Sequence, residues 1–528
     1  MTMPPITHIF VLMLENRSYD HLFGRLALSA PHAGIDPEAW ITDPLLGGDP
    51  AAPYKLTPQW TPPFQISPDP PHEYQNVVEQ LCGPGRDIHD GVPNSVTQMG
   101  FPDSYRQYLV TYAAKNKLNW STADLRARMN NIFSSFPPEQ IPVLSALAAQ
   151  YVVCDNWFSS LPGPTWPNRY FVHAASSGGL YSSPSSLDAG LASTVDGLSF
   201  PGNTIFDSLS DSHVPWRVYF GDLPQVLSMK GMNVSMLVDG RLKKLNADQS
   251  NFAADLQDPR YPFTYTFIEP AYDVSGGYAH GNSMHPEGDI RAGEQLVLKI
   301  YNALRSSPLW QTSMLVILFD EHGGFCDHVI PPAPAWVHPE DVQPNLKLNT
   351  PPSPTGGGNP AALPFDWSTL GFRVPALVIS PWLAPGVCHT LFDHSSIPAT
   401  VEALTGMGPM TDRDKDAQDN ARHLLALPFT DSPRTDCPVL PDDLALAVPP
   451  KLNVAAAVPD DALMAAEGTL SSFVHLSTRI EAQAVDASQL AASQARAAAI
   501  TTVGDAKAYI GRLTGLVDAL HRQSQPTP

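Results

Sequence analysis

Two runs of the chain carry apolar residues with no polar break, and each ends in oxygen-bearing side chains. Residues 9–14 (IFVLML) lead into Glu15 and Asn16. Residues 314–319 (MLVILF) lead into Asp320, Glu321, His322 and the pair Gly323-Gly324. A short apolar run without alternation predicts a strand buried on both faces, as in a parallel sheet. In open α/β sheets, ligands collect beyond the carboxyl ends of the strands. Two such strands side by side would converge three carboxylates and an amide. Like charges that close need a cation among them, or else raised pKa values. For either run taken alone, a strand ending in a solvated acidic turn is the competing interpretation.

The pattern predicts further α/β elements. A helix starts within 17–24, and 137–150 carries a helical stripe of Ile141, Leu144, Leu147 and Ala148. Strands are predicted at 151–155, 216–220, 265–268 and 372–380, with a mixed polar insertion over 221–262. Thr165 is expected just before a helix, as its cap, because Pro167 suits a first turn. A helix N-terminus offers free N–H groups and a positive dipole end, which suit phosphate. Glu269 and Asp273 read as loop acids near a site rim. Ile290, Val297, Ile300, Tyr301 and Leu304 mark another helix, and a short one follows His394 and Ser395, stopping near Gly406. Two Pro-rich loops cover 43–71 and 330–364, the second long enough for a lid or substrate wall. From about Pro438 the composition shifts to Ala, Gln and Ser. Residues 460–523 read as helices broken near Asp486 and Gly504. The expected division is a catalytic domain over 1–437 and a helical appendage over 438–528, which packs on the core or mediates self-association.

Composition narrows the class. The chain has 528 residues, 43% hydrophobic and 16% charged, so it is globular. Its 55 prolines, roughly twice the usual share, imply long stiff loops. Net charge is −21 with no basic run, which argues against nucleic acid and strongly anionic membranes as partners. A zwitterionic lipid or a small phosphate ester fits the charge. Five scattered cysteines form no CxxC pair, and Cys326 near the acidic motif reads as packing. No signal peptide and no membrane-spanning stretch is visible, so the expectation is a cytoplasmic protein, with secretion left open.

The candidate chemistry gathers at predicted element ends. Glu15, Asn16, Asp320 and Glu321 offer a divalent cation an oxygen-rich site, suited to Mg, Ca, Mn or Zn. Thr165 offers a hydroxyl nucleophile, activated if a metal lowers its pKa. His72, stiffened by Pro70-Pro71, together with His285 and His328, offers acids for a leaving oxygen. Trp166 reads either as a core residue or as a face for a choline group.

The motifs ENRSYDHLFG, LPGPTWPNR, His285-Pro286 and FDEHGGFCDHV, in that order over roughly 6–410, resemble the phosphoesterase family of bacterial phospholipase C and AcpA-type acid phosphatases, in the alkaline phosphatase superfamily. The resemblance implies an α/β/α sandwich. It implies one metal held by Glu15, Asn16, Thr165, Asp320 and Glu321, with Thr165 as nucleophile and His72 and His285 lining the site. His285 is the first choice for leaving-group acid. Threonine where the phosphatases carry serine tilts the expected substrate toward phosphodiesters of the phospholipid head-group class. An acid phosphatase, or a non-catalytic phosphate- or lipid-binding protein, is the alternative. The TWPNR string also echoes the sulfatase pattern, but threonine cannot form the aldehyde hydrate used there.

Overall fold

The computed structural model describes residues 5–523, leaving out 29–30, 33, 36–40, 44–53, 84, 87, 89–98, 185–196, 335–364, 366, 450–459, 461, 463–467 and 485–489. Most of the expected lid loop lies outside the described residues, as does part of the first Pro-rich loop.

Ten strands are described: β1 (His8–Leu14), β2 (Ile41–Asp43), β3 (Tyr54–Leu56), β4 (Val152–Cys154), β5 (Trp216–Phe220), β6 (Leu242–Lys244), β7 (Tyr265–Glu269), β8 (Ser313–Phe319), β9 (Ala376–Ile379) and β10 (Gly386–Cys388). Eight form one sheet in the order β10-β4-β9-β8-β1-β7-β5-β6. Within it only β9 runs against its neighbours. β2 and β3 form a separate antiparallel pair. The two unbroken apolar runs are the central neighbours β1 and β8, in the register Leu14 to Phe319. Glu15 and Asp320 therefore leave the same sheet edge abreast.

Side chains alternate between the faces of a strand, yet every residue of β8 is buried, so both faces are covered. On one face Phe10 packs on Phe252 of the helix Ser250–Leu256. That helix adjoins Ile290–Arg305, which in turn packs on Pro142–Gln150. Glu294 ties the last two together by accepting the Val143 and Leu144 N–H groups at 2.6 and 3.0 Å. On the other face Phe267, paired with Val11 in register, packs on His173 of the helix Thr165–Ala174. The helices Ile205–Asp211 and Ser396–Thr405 flank it there. The result is a three-layer α/β/α sandwich.

Several local expectations are corrected. Thr165 is the first residue of its helix, and Pro164 holds the cap position without a side-chain bond. The 221–262 insertion contributes the edge strand β6, three residues too short to carry a period. Glu269 is not a rim acid. It ends β7, fully buried, and its carboxylate accepts the Gln225 and Val226 N–H groups. Asp273 instead folds its own loop back, accepting the His280 N–H at 2.8 Å.

The C-terminal helices are Thr469–Ala484, Leu490–Ala498 and Val503–Gln523. The second break falls before Val503 and leaves Gly504 inside the last helix. Thr502 caps that helix, accepting the Asp505 N–H at 3.1 Å while Asp505 accepts the Thr502 N–H at 3.2 Å. This reciprocal cap outweighs the propensity cost of one glycine. The apolar faces turn inward: Phe473, Val474, Leu476, Ile480, Leu513 and Val517 belong to the same buried core as β1 and β8. Arg479 fastens the first helix by donating to the Met229 and Met232 carbonyls at 2.9 and 3.0 Å. No helix of the described residues is long and apolar enough to cross a membrane.

Because Phe473 is 1% exposed in this shared core, Phe473→Ala should destabilise the whole molecule by about 3 kcal/mol. The check is chemical denaturation followed by circular dichroism. The expected outcome is one displaced transition; a tail that melts separately would contradict a shared core.

Candidate active site

The site grows from the carboxyl ends of β1 and β8. Asn16 sits in the left-handed region (φ 58°), which turns the chain sharply after β1. Its N–H donates to Asp320 Oδ1 at 2.9 Å, binding the two strand ends together. After Glu321 the chain doubles back. A Cβ on Gly323 (φ 65°) would lie 2.1 Å from the Asn16 carbonyl, so glycine is required for this close approach. A Cβ on Gly324 (φ 70°) would lie 2.7 Å from Pro70 Cβ and 2.8 Å from the Pro71 carbonyl, so the stiff segment before His72 packs against the same turn.

The third contribution is the helix Thr165–Ala174. Asn168 locks the loop before it, donating to the Gly163 and Pro164 carbonyls at 2.9 and 3.1 Å and accepting the Leu161 N–H. Arg169 anchors the helix to both strands. Its Nε donates to Asp320 Oδ2 at 3.0 Å and its Nη2 to the Met13 and Leu14 carbonyls at 3.3 Å. Thr165, 1% exposed, thereby presents Oγ1 to Asn16 Nδ2 at 3.0 Å. The same Asn16 nitrogen contacts Glu321 Oε1 and lies 3.3 Å from His72 Nε2. Residues from four distant segments thus meet at one point.

Charge is crowded there. Burial pushes the Glu15 carboxyl up to about 8 and that of Asp320 up to about 6, both against the pull of Arg169. Burial also works against a charged Glu321, but His72 and His322 outweigh it and hold that carboxyl below its usual range. His72 loses to burial and gains more from Glu321 and Asp69, ending at about 9. Its Nδ1 donates to the Pro70 carbonyl at 2.8 Å, which aims Nε2 at Asn16. Two further residues brace the acids. His394 Nε2 donates to the Asp320 carbonyl at 2.6 Å, and His322 bridges Gln80 Oε1 and Glu321 Oε2 at 2.8 and 3.3 Å.

His285 stands one step away, with Nε2 3.6 Å from Asp69 Oδ2, while His72 Nδ1 approaches the same oxygen at 3.9 Å. Its ring stacks on Tyr278 at 3.8 Å. Burial, with help from His72 and Arg17, pushes its pKa well below the ordinary value, so it is neutral. Both rings line a cavity of about 450 Å³, together with Asp69, Tyr108, Tyr278 and Glu287.

His328 belongs to a different cluster. Its Nδ1 lies 2.8 Å from Asp20 Oδ2, and Arg373 donates to Asp20 at 3.0 Å and to Asp327 at 2.9 Å. Asp20, Asp327 and His328 are close enough to share an ion, but Arg373 already supplies them a cation. Trp166 is fully buried against Phe473 and Tyr170, which makes it a core residue with no face for a ligand. Cys326 is likewise packed inside, its thiol pushed up by burial.

The phosphoesterase family model matches residues 6–408. The chain belongs to the phosphoesterase family. It is 34% identical over 454 residues to non-specific phospholipase C3 of Arabidopsis thaliana, covering 84% of this chain and 77% of that one. It is 27% identical over 432 residues to phospholipase C B of Mycobacterium tuberculosis, covering 76% of this chain and 74% of the relative. Among solved structures it is similar to an alkaline phosphatase superfamily protein from Vibrio parahaemolyticus, at 15% identity and a TM-score of 0.29, covering 52% of this chain and 62% of that one. As a phosphoesterase this protein is a hydrolase of phosphoric ester bonds.

Phosphoesterases are generally metal-dependent, and this one has donors to suit. Both Glu15 carboxylate oxygens and Asn16 Oδ1 are buried without a hydrogen-bond partner. Unpaired buried oxygens are costly, and a hard cation would satisfy them. The buried oxygens of Glu15 and Asn16 therefore suit a divalent ion. Asp320 could join them, although its oxygens already accept from Arg169 and from the Asn16 and Glu321 N–H groups. Arg169 and Asp69 are the site residues that sequence reasoning missed. Arg169 lies inside the TWPNR string already noted, and Asp69 directly precedes the Pro70-Pro71 pair. An arginine four residues after a helix start, on the face of the nucleophile, was the available signal.

In the metal-free phosphoesterase the Glu15 pKa of about 8 lies above its ordinary 4.5. The unfolded chain then binds fewer protons, so this group lowers stability as pH rises between those values. Glu15→Gln should flatten that slope. It should also remove the rise in melting temperature that millimolar divalent ions give the wild type. Thermal scans at roughly pH 5 to 8, with and without chelator, test both expectations.

Proposed function

We propose that this phosphoesterase is a phosphodiesterase of phospholipase C type, acting on phospholipid head-group esters through a phosphothreonine intermediate. The observation that carries the reading is the hydroxyl of Thr165, held at the first turn of a helix 3.0 Å from Asn16 Nδ2, the nitrogen that also contacts Glu321. The phospholipase C names of relatives from a plant and from a bacterium support the substrate class.

The ionised Thr165 Oγ1 attacks phosphorus in line and one ester oxygen departs, leaving the phosphate and its head-group alcohol on threonine as a diester. Non-bridging oxygens lie against the free N–H groups of the helix start and the Asn16 amide. A divalent ion, when bound, lowers the hydroxyl pKa and neutralises charge on those oxygens. His72 delivers the proton to the departing alkoxide, because its Nε2 is the ring nitrogen nearest the Asn16–Thr165 pair. This differs from the sequence-based choice of His285. His285 Nε2 instead lies 3.6 Å from Asp69 Oδ2. Water then hydrolyses the phosphothreonine.

Thr165→Ala should abolish turnover of phosphatidylcholine and of p-nitrophenylphosphorylcholine. Acid quench of wild-type protein during turnover of phosphatidylcholine should yield Thr165 carrying phosphorylcholine by mass spectrometry. His72→Gln should cost about 10²- to 10⁴-fold on phosphatidylcholine. It should cost far less on the p-nitrophenyl ester, whose leaving group needs no proton. Equal losses on both would remove His72 as the acid. Hydrolysis of p-nitrophenyl phosphate alone would turn the assignment to a phosphomonoesterase.

A further inference from the structure

The family match ends at residue 408, yet the cavity holding His72 and His285 is lined on one side by Gly468, Thr469, Leu470, Val503 and Lys507. These residues come from the starts of the first and last C-terminal helices. We propose that the C-terminal helices form the outer wall of the substrate pocket, and that Thr469 and Lys507 set the size and charge of the group it accepts. The proposal rests on the diesterase reading of the site.

Three observations hold the wall in place. Phe473 lies one helical turn beyond Thr469 and packs on Trp166 and on Tyr272, at ring separations of 5.4 and 5.3 Å. Trp166 is the residue after the nucleophile, so the wall and Thr165 share one support. Arg479 locks the same helix to the Met229 and Met232 carbonyls. At the other helix, Lys507 Nζ reaches Asp460 Oδ1 at 3.2 Å, and the Gly504 N–H donates to the Asp460 carbonyl at 2.9 Å. The wall is thus fixed to the core through Phe473 and Arg479 of the first helix and through Leu513 and Val517 of the last.

Its chemistry complements the opposite side. The main domain offers the cavity the carboxyl groups of Asp69, Glu73 and Glu287, and the rings of Tyr108 and Tyr278. Carboxylates and tyrosine faces favour a cationic group. Lys507 is the one lysine or arginine among the described lining residues. It opposes that preference, so a cationic amino-alcohol head group is accepted less exclusively than the acids alone would dictate. The size limit comes from Thr469, whose short side chain borders the cavity; a larger one there would take volume from the substrate.

Two variants read the wall independently. Lys507→Gln should raise the ratio of kcat/KM for p-nitrophenylphosphorylcholine to that for uncharged-head p-nitrophenyl ethyl phosphate by about fivefold, since one repelling charge is removed. Thr469→Trp should lower kcat/KM on phosphatidylcholine micelles about tenfold more than on p-nitrophenyl ethyl phosphate. Each variant is first checked for an unchanged melting temperature. Folded variants that leave both ratios at the wild-type value overturn the proposal. A wild-type protein that hydrolyses p-nitrophenyl phosphate but neither diester overturns the diesterase reading instead. The Lys507→Gln ratio is then read on phosphorylcholine against ethyl phosphate, where a flat ratio still rejects the wall.

Discussion

A single buried ion pair fixes the geometry of this protein. Arg169 joins the helix that starts at Thr165 to Asp320 at the end of β8, and to the last carbonyls of β1. Both partners are almost wholly inside. Removing one partner of such a pair leaves a buried charge and costs several kcal/mol, on the order of 3–5. The helix cannot slide along the sheet without breaking three bonds at once. Its first hydroxyl is therefore held against Asn16, where catalysis needs a position accurate to a fraction of an ångström.

That anchor also explains how buried acids can stand at one sheet edge. Parallel strands bring Glu15 and Asp320 out side by side, and the sheet then denies them water. Arg169 answers Asp320, and His72 with His322 answers Glu321. Glu15 shares the pull of Arg169, which burial outweighs, and its carboxyl is driven up to about 8. Its buried oxygens and that of the Asn16 amide, without a hydrogen-bond partner, suit a hard cation. The contrast with the Asp20–Asp327–His328 cluster is instructive. There Arg373 completes the charge balance, and acids of the same type serve as structure.

The helices after residue 468 are integrated in both packing and chemistry. Phe473 fills the space behind Trp166, while Thr469 and Lys507 border the cavity in front. A core that extends through the tail lets a distant segment shape the site without carrying any reactive group. The interior is close-packed, so a wall resting on Trp166 transmits its position to the nucleophile next door.

Much of this was legible in the chain itself. Unbroken apolar runs ending in acids announced β1 and β8, because only strands buried on both faces tolerate such runs. The ordered motifs disclosed the family, and the side chains of Asn16, Thr165, Glu321 and His72 do converge. What the chain alone could not convey was pairing across hundreds of residues. It did not reveal that Arg169 would claim Asp320, that burial would neutralise His285, or that His328 would join Arg373. Nor did it reveal that an Ala-rich tail would border the cavity of His72 and His285. Local pattern records burial and turn chemistry, which depend on neighbours in sequence. Charge balance and cavity walls depend on neighbours in space, and those exist only once the sheet has closed around them.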